Sequence, residues 1–165
     1  MTALVMTDRL ALLAHVGELL VAIDVSRVLH IRRVTETEAR RVDRNLYAVD
    51  LEVRTVPGWD LGELLQLGPC SDAWVIADIP RRSSTRTIGL RVGRCISVCK
   101  LPRCSPIPPS VFTARRGALA AGFSTHTIPE VQGVPSGLVL DLAQLLTRAE
   151  LDAGVRLERA KEHGV

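Results

Sequence analysis

Two apolar runs, Leu10–Val16 and Leu19–Val25, stand on either side of Gly17-Glu18, and this pairing constrains the fold more than any other feature of the chain. Runs this short suit strands, and a two-residue break that includes glycine is the signature of a tight hairpin turn. The chain is therefore predicted to open with a β-hairpin, from which Ser26–Ile31 leads away. The charge-dense stretch Arg32–Arg44 predicts a loop with at most one helical turn. Leu46–Val56 predicts a half-buried strand, with Val49, Leu51 and Val53 on one face and Asp50, Glu52 and Arg54 on the other. Pro57-Gly58 is read as its end. Asp60 is then placed to cap a short helix in which Leu61, Leu64 and Leu65 share a face.

Further strands are predicted at Ala73–Ile79, Thr87–Val92 and Cys95–Leu101. Arg81–Arg86 reads as a polar loop joining the first two, and Gly89–Gly93 with Arg94 as hairpin chemistry joining the last two. Prolines at 102, 106, 108 and 109 exclude a central strand there. Strands follow at Ala118–Thr125 and Gly137–Leu140, and a helix is expected from about Asp141 toward the C-terminus. One pattern recurs: Asp60-Leu-x-x-Leu-Leu65 and Asp141-Leu-x-x-Leu-Leu146 each follow a strand and lie close to half of the 165-residue chain apart. Two similar β-rich halves are the expectation.

With 47% hydrophobic and 24% charged residues, the chain is far from the composition of a disordered protein and long enough to bury a core without disulfides or metal. Its 21 Lys+Arg against 18 Asp+Glu give a net charge of +3, too small for a surface that tracks phosphates. Aromatics are only 3% of the chain, which leaves little to stack on bases. No apolar stretch approaches the roughly 18 residues of a membrane span. Asp8, Arg9, His15 and Glu18 interrupt the first apolar region, so it does not read as a signal peptide, and a cytoplasmic location is expected. In that reducing compartment Cys70, Cys95, Cys99 and Cys104 would be free thiols.

Searches for catalytic patterns find no nucleophile elbow, phosphate-binding glycine loop, HExxH or CxxC. The Cys95, Cys99, Cys104 group has the wrong spacing for a zinc knuckle, and Cys95 and Cys99 are expected on one face of a strand as small apolar residues. A small metal or redox protein built on these cysteines stays open as a competing reading. Ser124 and His126 lack an orienting acid, so His126 reads as a partly exposed strand histidine. His15, His30, His126 and His163 are scattered. Asp24, Asp50, Asp60, Asp78 and Asp141 fall where turn and cap residues belong. Arg81, Arg82 and Arg86 could form a nucleic-acid contact, but three arginines in a loop are usually solvated. No cofactor and no metal is expected.

Taken in order, these segments resemble the CheW-like domains, the coupling modules of bacterial chemosensory arrays. His15–Ile31 is similar to the family's opening hairpin and third strand, and Val56–Leu65 to its Pro-x-x-Asp-Leu segment. Arg86–Val98 resembles its Gly-Leu/Ile-x-Val-Asp-x-Val hairpin, with Gly93 in place of the usual Asp. Val139–Leu146 resembles its closing strand and helix. The resemblance implies a mainly β fold of two small five-stranded β-barrels sharing a hydrophobic core, with short helices and a C-terminal helix. Residues 1–165 would then be a single domain of two pseudo-repeated halves. It also implies a noncatalytic adaptor that binds the regulatory domain of a CheA-type histidine kinase and the cytoplasmic tip of a chemoreceptor, or assembles with other CheW-like domains. The receptor-facing position of the third strand falls on Val28, with His30 beside it. The family's Asn-Leu-Arg-Gly falls on Asp50-Leu51-Glu52-Val53, so an arginine becomes Glu52 and a turn glycine becomes the β-branched Val53. Arg54 would be the partial substitute. A charge reversed at an interface selects against the usual partner, which implies a divergent one or the same fold reused for another protein contact.

Overall fold

The structure, a computed structural model, describes residues 10–80, 84–107 and 115–162. The opening hairpin is present: β1 (Leu10–Val16) pairs antiparallel with β2 (Leu19–Asp24), Val16 opposite Leu19. Gly17 turns the chain at φ 58°, a backbone conformation that costs glycine little. Asp24 accepts the Ser26 N–H at 3.0 Å and so caps a single 3-10 turn, Val25–Arg27. That turn carries the chain into β3 (Val28–Arg33), which lies in a different sheet.

The stretch read as a loop holds a second strand, β4 (Glu38–Arg41), reached through a 3-10 turn at Val34–Glu36. All four β4 residues are exposed because it is an edge strand, so no apolar alternation marks it. The single strand expected at Leu46–Val56 is two, β5 (Tyr47–Asp50) and β6 (Thr55–Asp60), joined by a turn in which the Leu51 N–H donates to the Arg54 carbonyl at 2.8 Å. Val53 therefore sits on a turn tip at 93% exposure rather than beside Val49 on a buried face. Pro57 and Gly58 do not end a strand; both are buried inside β6. Gly58 is required there: a Cβ would stand 2.6 Å from Val49 Cγ2 and 2.9 Å from Trp74 Cζ3.

The Asp60-capped helix α1 (Leu61–Leu64) forms as expected. β7 (Ala73–Pro80) and β8 (Thr85–Val92) pair antiparallel. Of the loop expected at Arg81–Arg86, residues 81–83 lie outside the described residues, and Thr85 and Arg86 belong to β8. β9 (Cys95–Lys100) does not pair with β8; at Gly93-Arg94 the chain crosses to the first sheet, where β9 joins β1. A two-residue β10 (Ser105–Pro106), β11 (Leu119–Ser124) and β12 (Ser136–Leu140) complete that sheet. The C-terminal helix α2 (Arg148–Glu162) starts later than Asp141, which instead caps a 3-10 turn at Leu142–Gln144. The later start follows from a second cap: Thr147 Oγ1 accepts the Glu150 N–H while Glu150 Oε1 accepts the Thr147 N–H.

The result is mainly β. One sheet has the order β10-β11-β12-β2-β1-β9 and the other β3-β7-β8-β6-β5-β4, each with six strands where five were expected and with two edges among the described residues. Each sheet contains one parallel pair, β6 with β8 and β12 with β2, and the strand entering each aspartate-capped turn belongs to it. The largest core lies between the sheets, where Leu12, Val21 and Ile23 meet Val75, Ile88 and Leu90, with Leu151 and Leu157 of α2 packed against it. The first sheet curls around a second core centred on Leu13, Leu20 and Phe123, and the second around a third built on Tyr47, Val49, Trp74 and Ile76. Each fully buried side chain of this size contributes about 1.5–3 kcal/mol relative to exposure.

Arg115 ties the repeated segments together. Its Nε donates to the Leu64 carbonyl at 3.1 Å and its Nη1 to the Leu145 carbonyl at 2.9 Å, which occupy corresponding places in the two Asp-Leu-x-x-Leu-Leu patterns. Its Nη1 and Nη2 also reach Glu150 at 2.7 Å each, which fastens α2 to the same junction.

Candidate interaction surface

β3 is an edge strand paired only with β7, and it places Val28 and His30 differently. Val28 is half-buried, opposite Ala77, and packs against the intersheet core. A bulge follows at Leu29, after which His30 lies opposite Ile76 and is exposed. The bulge puts the two residues on opposite faces of the sheet, because Ala77 belongs to the intersheet core and Ile76 to the inner core of the second sheet.

The β5–β6 turn holds the other expected residues. Asp50 ends β5 and accepts the Thr55 hydroxyl at 2.6 Å, a bond that closes the base of the turn. Leu51 is half-buried against the inner core of the second sheet, while Glu52 and Val53 project at the tip. Arg54 does not share a strand face with Glu52, since neither lies in a strand. Its Nη2 donates to Thr87 Oγ1 at 2.8 Å, and Thr87 in turn donates to Asp78 Oδ1 at 2.8 Å.

Strand and turn converge electrostatically. Partial burial, then the charges of Arg32 and Arg54, hold the His30 imidazole below its ordinary value. Arg54 thus lies near enough for its charge to act on His30, while Val28 is on the far face. Sequence reasoning missed Leu29 and Ile31, which are 49% and 43% exposed on the same edge, and the arginines 32 and 33 beside them. The available signal was an apolar pair inside a stretch of arginines with no acidic residue.

The cysteines are spread over separate environments. Cys95 and Cys99 do not share a face: a bulge at Ile96 shifts the β1–β9 register, so Cys95 faces the intersheet core and Cys99, like Cys104, the inner core of the first sheet. Burial pushes all four thiols above their ordinary value, opposite to the shift that makes a cysteine a nucleophile. Among the described residues no group of three or more His, Cys, Asp or Glu is placed to hold a metal ion. Ser124 Oγ accepts the backbone N–H of His126 at 3.2 Å, a local turn contact, and His126 is exposed beyond the end of β11. Arg86 lies 3.7 Å from Glu158 of α2. Asp24, Asp60 and Asp141 are caps, as expected.

No family model and no curated protein matches the chain. Among solved structures it is similar to the scaffolding protein TtCheW from Thermoanaerobacter tengcongensis, with a TM-score of 0.66 and 16% sequence identity over 84% of this chain and 88% of that one. The fold is CheW-like, and its sequence has diverged far from that neighbour. No helix among the described residues is long and apolar enough to cross a membrane.

Proposed function

We propose that this chain is a noncatalytic adaptor of a bacterial chemosensory system, working in the cytoplasm and coupling a CheA-type histidine kinase to a chemoreceptor or a related protein. The observation that carries the reading is the CheW-like fold, shared with a scaffolding protein over most of both chains. The partner surface is the β3 edge and the β5–β6 turn, with Val28 and Leu51 as half-buried supports, Asp50 at the base of the turn, and His30, Glu52, Val53 and Arg54 as its outward part. Such a surface works by shape and charge alone. Leu51 anchors the turn in the core, Asp50 fixes its base, and Glu52 and Val53 are held out with their side chains free for a partner. Glu52 puts a negative charge where a standard partner meets a positive one, so the partner is a divergent receptor or kinase. The competing cysteine-based reading loses support from the raised thiols and their separation between two cores.

Calorimetric titration with the regulatory domain of a CheA kinase from the same organism tests the proposal. Micromolar binding that changes severalfold on Glu52→Arg is the expected result. Absence of binding by both folded proteins overturns kinase coupling.

A further inference from the structure

The two edges of the second sheet are built differently. β4 exposes Glu38, Ala39, Arg40 and Arg41, charges of both signs, and Arg41 is tied to Glu63 at 2.8 Å; this is how an edge is protected from further pairing. β3 lacks that mixture: a bulge at Leu29 interrupts it, and its charges are all of one sign. Leu29 and Ile31 are exposed, and the stretch Val25–Val34 carries Arg27, Arg32 and Arg33 with no acidic residue. Among the described residues none of these three arginines has a carboxylate partner, and Arg32 Nε is buried with no acceptor.

We propose that the free edge of β3 accepts an additional β-strand from an acidic, extended segment of a partner protein. Main-chain hydrogen bonds along His30–Arg33, the regular stretch beyond the Leu29 bulge, supply the pairing, and carboxylates on the incoming strand meet Arg27, Arg32 and Arg33. The four residues beyond the bulge offer a regular edge about 13 Å long, enough for a short strand. Leu29 and Ile31 give that strand an apolar contact. The charge selects the occupant: pairing of β3 with its counterpart in a second copy would gather two sets of three arginines along one seam, whereas an acidic strand neutralises one. A nucleic acid would find the charge but would leave the main-chain edge unpaired, and β3 offers it a single exposed ring, that of His30, to stack on. The inference rests on the adaptor reading only in taking the partner to be a protein.

The test uses the full chain and a fluorescein-labelled peptide, Glu-Val-Glu-Ile-Asp-Val-Glu. Three competitors accompany it: a version with lysine for each acid, a version with proline at the central position, and a single-stranded DNA 20-mer. Binding is read by fluorescence anisotropy and by amide hydrogen exchange resolved to β3. The expected result is saturable binding of the acidic peptide, exchange slowed at β3, and affinity about tenfold weaker for the proline peptide and for Arg33→Glu. Arg27→Glu provides a second weakened variant, and each variant is compared at an unchanged unfolding midpoint. Binding without slowed exchange at β3, equal binding of the proline peptide, or tighter binding of the DNA overturns the inference. The readings separate cleanly. Kinase-domain binding that survives Arg33→Glu and leaves β3 exchange unchanged removes strand addition and keeps the adaptor; peptide binding at β3 without kinase binding does the reverse.

Discussion

Asp60 and Asp141 stand at the same place in a repeated pattern and each caps a short helical turn, α-helical after Asp60 and 3-10 after Asp141, yet they do different work. Asp141 Oδ1 accepts the Ala143 N–H at 3.0 Å, and its side chain is half-exposed. Asp60 is 1% exposed; it caps Glu63, accepts the Cys70 N–H at 2.9 Å, and receives Arg91 Nε at 2.9 Å. Arg91 also donates to the Tyr47 hydroxyl at 3.0 Å, and its guanidinium lies 4.6 Å from the Tyr47 ring centre and 5.5 Å from that of Trp74. The inner core of the second sheet is therefore closed by a cation held between aromatic faces and a buried carboxylate. The inner core of the first is apolar, built on Leu13, Leu20 and Phe123. A shared motif places a capped helical turn after a strand, and what the neighbouring strands bring to it decides whether its aspartate is a cap or the anchor of a buried charge.

The largest effect should come from separating the two roles. Asp60→Ala leaves Arg91 with only Glu63, 4.0 Å away, as a carboxylate partner and removes acceptors for two backbone N–H groups, at a cost of about 3–5 kcal/mol in urea unfolding. If that loss is no larger than for Asp141→Ala, the distinction between anchor and cap fails. Pairing Asp60→Leu with Arg91→Met should recover the part due to the stranded charge and leave the lost backbone acceptors uncompensated. In the apolar counterpart, Leu13→Ala opens a cavity at a fully buried site and should cost about 3 kcal/mol, with no companion substitution of a charged residue restoring it.

Next is the junction between the halves. Burial alone would raise the Glu150 carboxyl, but hydrogen bonds from Arg115 and the Thr147 N–H outweigh it and hold the group below its ordinary value. A carboxylate lowered in the folded state stabilises above its unfolded value, and that stability is lost as pH falls through the folded one. Glu150→Gln should therefore cost about 2 kcal/mol at neutral pH and flatten the acid limb of the stability profile. An unchanged acid limb would mean that Arg115 does not fasten α2 as the geometry indicates. Asp141→Ala, the simple cap, should cost about 1 kcal/mol by the same unfolding assay.

These contrasts also mark what the sequence discloses. The opening hairpin, α1 and the paired caps were legible because each depends on neighbours in the chain: Gly17 between apolar runs, or an aspartate ahead of leucines. β4 was not, since an edge strand exposed on every residue has no apolar period to detect. The alternation of Val49, Leu51 and Val53 suggested one strand because a period of two cannot distinguish a face from a turn that happens to continue it. Pro57-Gly58 reads as punctuation in any sequence; only the Val49 methyl and the Trp74 ring, brought alongside by sheet pairing and packing, make a small residue necessary. The candidate surface was legible residue by residue but not as a surface. Arg54 acts on the charge of His30 because β3 lies on β7 and Arg54 reaches Thr87 of β8, contacts far apart in the chain.

The smallest stability effect belongs to the turn tip, and there the contrast between stability and binding is sharpest. Val53 is 93% exposed, and Glu52 beside it is exposed as well. Val53→Ser and Glu52→Arg should each change unfolding free energy by less than about 0.5 kcal/mol, because neither removes a core contact. Replacing Val53 with glycine adds only the cost of a freer unfolded chain. If the tip is part of an interface, the same substitutions alter partner affinity severalfold at unchanged stability, which a titration beside a urea curve will separate. A large loss of stability at either position would mean that the turn is packed, and would move the interface from the tip to the β3 edge alone.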